Sequence, residues 1–128
     1  LQNKKTKKIL LVKEYRAANK KRMIGLPGGL VDDEETPKKT LRREIFEELN
    51  LKLKKVDYIG RLINNGNYNC GTNYIYFSKI SQKVFKTEKN ISYKWVSLKE
   101  LKEKILKKNL INNSGFYAAI SLYLFKNL

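Results

Sequence analysis

The feature that most constrains this chain is the stretch GGLVDDEETPKKTLRREIFEELNL, which covers residues 28–51. Thr36 and Pro37 predict the start of a helix, because a threonine cap accepts a free backbone N–H and proline already has a helical φ. Apolar side chains then recur at three- and four-residue spacing, at Leu41, Ile45, Phe46 and Leu49. Asn50 follows, and asparagine tolerates the left-handed conformation that ends many helices. We therefore predict an amphipathic helix over residues 37–49 with a buried apolar stripe.

The same stretch concentrates negative charge. It holds seven of the 12 acidic residues, although the chain has 28 lysines and arginines and a formal charge of +16. On the predicted helix Glu44, Glu47 and Glu48 share one side, where they repel each other close to the unfavourable C-terminal end of the helix dipole. A divalent cation removes this conflict, because Mg²⁺ prefers oxygen ligands; the alternative is a solvated acidic face with lysine partners. We interpret the remaining loop acids as solvated, namely Asp32, Asp33 and Glu34.

The spacing of this stretch resembles the signature of the Nudix hydrolases. In that family a glycine, a glutamate, an Arg-Glu pair, a Glu-Glu pair, a second glycine and two aliphatic residues stand at fixed distances. The matching positions are Gly29, Glu35, Arg43, Glu44, Ile45, Glu47, Glu48 and Leu51. Asn50 departs from the pattern, since the family has glycine there, but both residues adopt the left-handed conformation. The resemblance implies a Nudix-type α/β/α sandwich around a mixed β-sheet, formed as a single domain over residues 1–128.

The resemblance also implies a reaction and a cofactor. Water would attack a phosphorus atom of a nucleoside diphosphate linked to another group. Glu44, Glu47, Glu48 and the carbonyl oxygen of Gly29 would hold Mg²⁺, with Mn²⁺ as an alternative. Such a cation neutralises charge that develops on phosphoryl oxygens and lowers the pKa of water. No covalent nucleophile is then needed, in agreement with a chain that has no histidine.

Three further positions receive roles from the resemblance. Glu35 and Arg43 would form an ion pair that braces the loop before the helix. Glu88, in the segment KTEKNISYKW, would take the proton of the attacking water, as a late loop glutamate does in many family members. Glu47 and Glu48 are alternative catalytic residues for that proton. Glu88 is alternatively a solvated loop acid beside two lysines.

The substrate is less defined. Residues 10–29 resemble the ADP-ribose pyrophosphatase branch, where a Gln-Tyr-Arg-like triplet ends a strand; here the triplet ends at Arg16. A guanidinium at that position would bind a substrate phosphate bidentately, or Arg16 is an ordinary surface residue. ADP-ribose or a nucleotide sugar is the first expectation. Pyrophosphate release from (d)NTPs or modified nucleotides is the second, and RNA 5′-end hydrolysis or RNA binding is the third.

The amino-acid composition limits the partners and the cellular compartment that we expect. The 23 lysines are spread along the chain and only five arginines accompany them, whereas dedicated phosphate recognition favours the planar arginine fork. Nucleic acid is therefore not the expected main partner, and a nucleotide-type small molecule is. Cys70 is the only cysteine, which indicates a reducing compartment, and we expect a cytoplasmic protein without a membrane segment. A homodimer stays an open alternative.

The other predicted elements alternate between strands and helices. Strands are predicted at residues 9–15, 23–26, 56–63, 73–80 and 92–96, and helices at 98–108 and 114–125. The polar segment NNGNYNCGT, residues 64–72, is predicted to be a lid or binding loop. Within it, Tyr68 is a candidate for stacking on a base or a sugar.

Overall fold

The computed structural model of the protein describes residues 1–17, 20–66, 69–84, 91–108 and 114–126. The side chains at positions 16, 65, 66, 69, 70, 107 and 108 lie outside that description. The strands are β1 (Gln2–Asn3), β2 (Ile9–Arg16), β3 (Lys21–Gly25), β4 (Asp57–Gly66), β5 (Asn69–Phe77), β6 (Lys79–Ile80) and β7 (Ile91–Val96). The helices are α1 (Pro37–Leu49), α2 (Leu98–Lys108) and α3 (Ser114–Phe125).

Strand β2 organises the larger sheet. It pairs antiparallel with β3 and β7, while β1 joins β2 antiparallel and β6 in parallel, which makes the five-stranded sheet mixed. Successive side chains of a strand point to opposite faces. Accordingly Ile9 and Leu11 pack into one core with α2 and α3, whereas Leu10 and Val12 pack into a second core with α1. The apolar run ILLV is thus buried on both faces, and helices cover both sides of the sheet, as expected for an α/β/α sandwich.

Helix α1 has the predicted bounds and caps. Thr36 caps its start and accepts from the backbone N–H of Lys39, and Asn50 ends it with φ 51° and ψ 39°. Ile45 and Leu49 are fully buried, but Phe46 is 44% exposed, so the apolar stripe is narrower than predicted. Burial of the stripe fixes which side of α1 faces solvent and the neighbouring loop.

The prediction of a loop over residues 64–72 is wrong for most of its length. Strand β4 continues to Gly66 and β5 begins at Asn69, and the two form an antiparallel hairpin in register from Asp57 opposite Phe77 to Gly66 opposite Asn69. The polar composition predicted a loop, but this end of the hairpin extends beyond the cores, where polar side chains are compatible with pairing. Tyr68 lies outside the described residues.

The remaining elements follow the predictions closely. The predicted strand at 73–80 is interrupted at Ser78, whose hydroxyl donates to the carbonyl oxygen of Lys55 at 2.6 Å. Helix α2 begins after Ser97, which exchanges hydrogen bonds with Glu100 in a capping box. In the part of the chain that the structure describes, no helix has the length and apolar character needed to cross a bilayer.

Candidate active site

The loop that connects β3 to α1 lies directly against the glutamates of the helix. A Cβ atom built on Gly29 would lie 2.6 Å from Cγ of Glu44 and closer still to its carboxyl group. Only a residue without a side chain therefore permits the observed approach of the Glu44 carboxylate to the loop backbone. Further along the loop, the Glu35 N–H donates to the carbonyl oxygen of Asp32 at 2.9 Å and forms a turn just before α1.

Arg43 is the centre of the charged network. Its Nη2 lies 2.9 Å from Oδ2 of Asp32 and 3.1 Å from Oε2 of Glu35, and its Nη1 lies 2.8 Å from Oε1 of Glu44 and 3.3 Å from Oε2 of Glu47. Hydrogen bonds from Arg43 lower the pKa of Glu35, and the Glu35 carboxylate raises the pKa of the guanidinium. The loop acid Asp32 is exposed to solvent, as the sequence indicated, and its side chain also binds Arg43, a contact that the sequence analysis did not predict.

A cleft of about 830 Å³ opens beside this network. The turn at Gly28 and Gly29 and the helix residues Glu44 and Glu48 line it together. Glu48 is 8% exposed, which is unusual for a carboxylate. Among the described residues that line the cleft, every charged side chain is acidic, since Glu14 on β2 is the third one. No lysine or arginine side chain that the structure describes lines the cleft.

A second wall of the cleft is aromatic. Tyr74 and Tyr76 project from β5 into the space that Glu44 and Glu48 also line. Tyr76 packs partly into the core beneath α1 and meets Tyr58 edge to face, with ring centroids 5.5 Å apart. Burial, together with the nearby hydroxyls of Tyr58 and Tyr74, raises the pKa of Tyr76. Tyr74 is 42% exposed, so its ring is available to a ligand.

The donor set suits a hard divalent cation, although the carboxylates do not yet converge. Within the described residues, no three acidic, histidine or cysteine side chains surround a common point. The reason is that Arg43 holds Glu44 and Glu47, of which Glu47 is half exposed. Their three- and four-residue spacing places Glu44, Glu47 and Glu48 on one side of α1, and Glu44 lies directly against Gly29.

The comparison with protein families decides the classification. The family model described as the NUDIX domain matches residues 1–118. The chain belongs to the Nudix family. It is a Nudix pyrophosphohydrolase by class, and enzymes of this family generally use divalent metals. A search of curated proteins gave no match.

Solved Nudix structures share the fold. The NUDIX domain of Shewanella oneidensis NrtR, in complex with ADP ribose, has a TM-score of 0.76 at 18% identity and covers 98% of this chain and 82% of its own. The MutT protein from Methanosarcina mazei Go1 has a TM-score of 0.76 at 23% sequence identity, and the match covers 98% of this chain and 88% of the MutT chain. An ADP compounds hydrolase has a TM-score of 0.73 at 16% sequence identity, and the match covers 98% of this chain and 68% of the hydrolase chain. These similarities support the predicted α/β/α sandwich around a mixed sheet.

The Nudix positions divide into three groups in this structure. Gly29, Glu44 and Glu48 meet at the cleft, and Arg43 contacts Glu35 as the resemblance implied. Glu47 lies on the same side of α1 but is directed to Arg43 rather than to the cleft. Glu88 and the side chain of Arg16 lie outside the described residues.

Two parts of the site escaped the sequence prediction. Glu14 is the first residue of the triplet that ends at Arg16, but only the pairing of β2 places it at the cleft. The sequence analysis names Tyr68 as the candidate for stacking, whereas the described tyrosines of the cleft are Tyr74 and Tyr76. The alternation of tyrosines in NYIYF was the signal that could have identified them, since it sends both rings to the same face of a strand.

Proposed function

We propose that this Nudix enzyme hydrolyses the phosphoric anhydride of a nucleoside diphosphate joined to a second group, with ADP-ribose or a nucleotide sugar as the first candidate. The charge of the cleft is the observation that carries the proposal. Its described charged side chains are Glu14, Glu44 and Glu48, and a diphosphate brought against them without a cation would be repelled. A cleft of this kind suits a substrate that binds together with divalent metal.

The cation that we propose is Mg²⁺, with Mn²⁺ as the alternative. Glu44, Glu47, Glu48 and the Gly29 carbonyl oxygen would hold it, since carboxylate and carbonyl oxygens are its preferred ligands. When bound, the ion supplies positive charge against the phosphate oxygens of the substrate. The buried position of Glu48 keeps its carboxylate in a low-dielectric environment, where its interaction with a cation is stronger than in water.

The remaining roles belong to residues that bind, orient and move a proton. Glu35 and Arg43 fix the loop against α1 through their ion pair. Glu88 remains the proposed acceptor of the proton from the attacking water, with Glu47 and Glu48 as alternatives. Arg16 is proposed to bind a phosphate of the substrate, because it ends β2, the strand that also carries Glu14 of the cleft.

Tyr74 and Tyr76 are proposed to contact the nucleoside. An aromatic face offers stacking to any base without reading its sequence of donors and acceptors. The relatives support this substrate class to a limited degree: one structure contains ADP ribose and another is described as an ADP compounds hydrolase. The cleft volume of about 830 Å³ is within the range for small-molecule sites.

A product screen with Mg²⁺ tests the proposal. ADP-ribose should yield AMP and ribose 5-phosphate, whereas (d)NTPs would yield a nucleoside monophosphate and pyrophosphate, and RNA with a 5′-triphosphate would release pyrophosphate. The variants Glu44→Gln and Glu48→Gln should lose at least the roughly 10–100-fold in activity that even an outer-shell metal partner contributes. Glu103→Gln, on the exposed surface of α2, is the matched control. Equal activity of all three variants with wild type would refute the metal platform.

A further inference from the structure

All five N–H donors of Arg43 are directed at carboxylates. Nε donates to both oxygens of Glu35, at 3.3 and 3.2 Å. Nη2 donates to Glu35 and to Asp32, and Nη1 donates to Glu44 and Glu47. A guanidinium has one Nε–H and two hydrogens on each terminal nitrogen, so none of its donors is left for a further acceptor.

The four carboxylates fall into two groups that compete for this guanidinium. Glu44 and Glu47 are metal ligands under the proposed function, and a cation there must displace Nη1. Glu35 and Asp32 belong to the loop before α1, and they hold the opposite side of the fork through Nε and Nη2. One positive charge is shared among four negative ones. Strong binding of Arg43 by the loop carboxylates therefore weakens its binding to Glu44 and Glu47, and a cation replaces Nη1 at these two glutamates more easily.

We propose that Asp32 is a positioning residue for the metal site. By binding Nη2 at 2.9 Å, it takes a share of the positive charge of the guanidinium, so that a divalent cation displaces Nη1 from Glu44 and Glu47 more easily. The inference rests on the proposed function, because it requires a cation at these glutamates. Glu35 performs the same task at a position of the Nudix pattern, whereas Asp32 lies at a position that the pattern does not specify.

The loop itself provides a matched control. Asp33 is the neighbour of Asp32, carries the same charge and is likewise exposed. Within the described part of the chain, the salt bridges to Arg43 come from Asp32, Glu35, Glu44 and Glu47 and not from Asp33. Loss of either aspartate therefore removes one negative charge near the site, but only loss of Asp32 removes a hydrogen bond of the guanidinium.

Binding of Mn²⁺ alone to the metal-free protein, followed by electron paramagnetic resonance or calorimetry without substrate, is the test. Asp32→Asn should weaken binding roughly tenfold, the lower end of the range for outer-shell partners of a metal. Asp33→Asn should stay within about twofold of wild type, the size of a screened surface effect. Asp32→Glu, which keeps the carboxylate, should recover most of the affinity. Exchange of the Arg43 Nη2 hydrogens with water should accelerate in metal-free Asp32→Asn and not in Asp33→Asn, because Asp32 accepts from Nη2.

The outcomes separate this inference from the proposed function. If wild type binds no Mn²⁺, the metal platform and the role of Asp32 are both overturned. If wild type binds Mn²⁺ and the two asparagine variants are weakened equally, Asp32 acts only through its charge, and the inference alone is overturned. Unchanged exchange of the Arg43 Nη2 hydrogens in Asp32→Asn overturns it as well, since Asp32 would then act on the cation without Arg43. Asp32 is largely exposed, so the variants should fold.

Discussion

Replacement of Gly29 by alanine tests the closest contact in the site. The added Cβ would lie 2.6 Å from Cγ of Glu44, while carbon atoms in ordinary contact are about 3.5 Å apart. Glu44 must therefore move by about 1 Å, and a displacement of that size at a reacting centre costs about 100-fold in rate. We expect Gly29→Ala to lower kcat/KM for ADP-ribose about 100-fold and to weaken Mn²⁺ binding. Its free energy of unfolding should change by no more than about 0.5 kcal/mol, because Gly29 is exposed.

Gly25→Ala is the control for this experiment. Gly25 ends β3 in the same connection, and a Cβ built there meets no atom within 4 Å. Steady-state kinetics with saturating Mg²⁺, Mn²⁺ titration and urea unfolding should be measured for both variants. If Gly29→Ala retains the activity and the Mn²⁺ affinity of Gly25→Ala, the close approach of Glu44 to the loop has no role in the site. If Gly29→Ala loses activity only by unfolding, the geometric reasoning is equally refuted.

Three further changes probe the cleft, the hairpin and the ion pair. Tyr74→Ala should raise KM for ADP-ribose with little change in kcat, measured beside Tyr74→Phe, which keeps the ring; equal KM values for the two variants would show that stacking is not used. Gly60→Ala should cost about 1–3 kcal/mol in urea unfolding, because its Cβ would lie 2.6 Å from Cδ1 of Leu122; an unchanged midpoint would contradict this. The pKa of Glu35 is lowered from 4.5 in the folded protein, so ionised Glu35 stabilises the fold above that value, and the stabilisation is lost as the pH falls through the lowered pKa. The difference in unfolding free energy between wild type and Glu35→Gln should accordingly shrink as the pH falls below 4.5, and a constant difference would exclude the linkage.

The helix of the site was predictable because its determinants are local. Thr36 and Asn50 act through their own backbone neighbours, and the spacing of Ile45 and Leu49 follows from helical geometry alone. The proximity of Arg43 to Glu35 is encoded in the same way, since a short turn brings the loop back to the helix. The sequence therefore predicts helix α1, its caps and the side of the helix that bears the glutamates.

The hairpin and the aromatic wall were not predictable by the same means. Pairing of β4 with β5 is decided by contacts between the strands, and the polar residues from Asn64 onward have no strand preference of their own. Which of the loop acids Asp32, Asp33 and Glu34 binds Arg43 depends on the orientation of one guanidinium. Sequence spacing does not contain that orientation. The same holds for Glu14, which reaches the cleft through the register of β2 with its neighbours.

The net charge of the chain and the charge of its cleft have opposite signs among the described residues. A formal charge of +16 creates a long-range field that attracts polyanions, and it acts over the Debye length of about 8–10 Å in physiological salt. The described charged side chains of the cleft are acidic, so a bare diphosphate attracted to the surface would be repelled at the last step. A diphosphate that carries a divalent cation keeps negative charge for the distant field and presents positive charge to Glu44 and Glu48. Under the proposed function, the basic surface would increase the rate of encounter, and the acidic lining of the cleft would favour the metal complex over the free nucleotide.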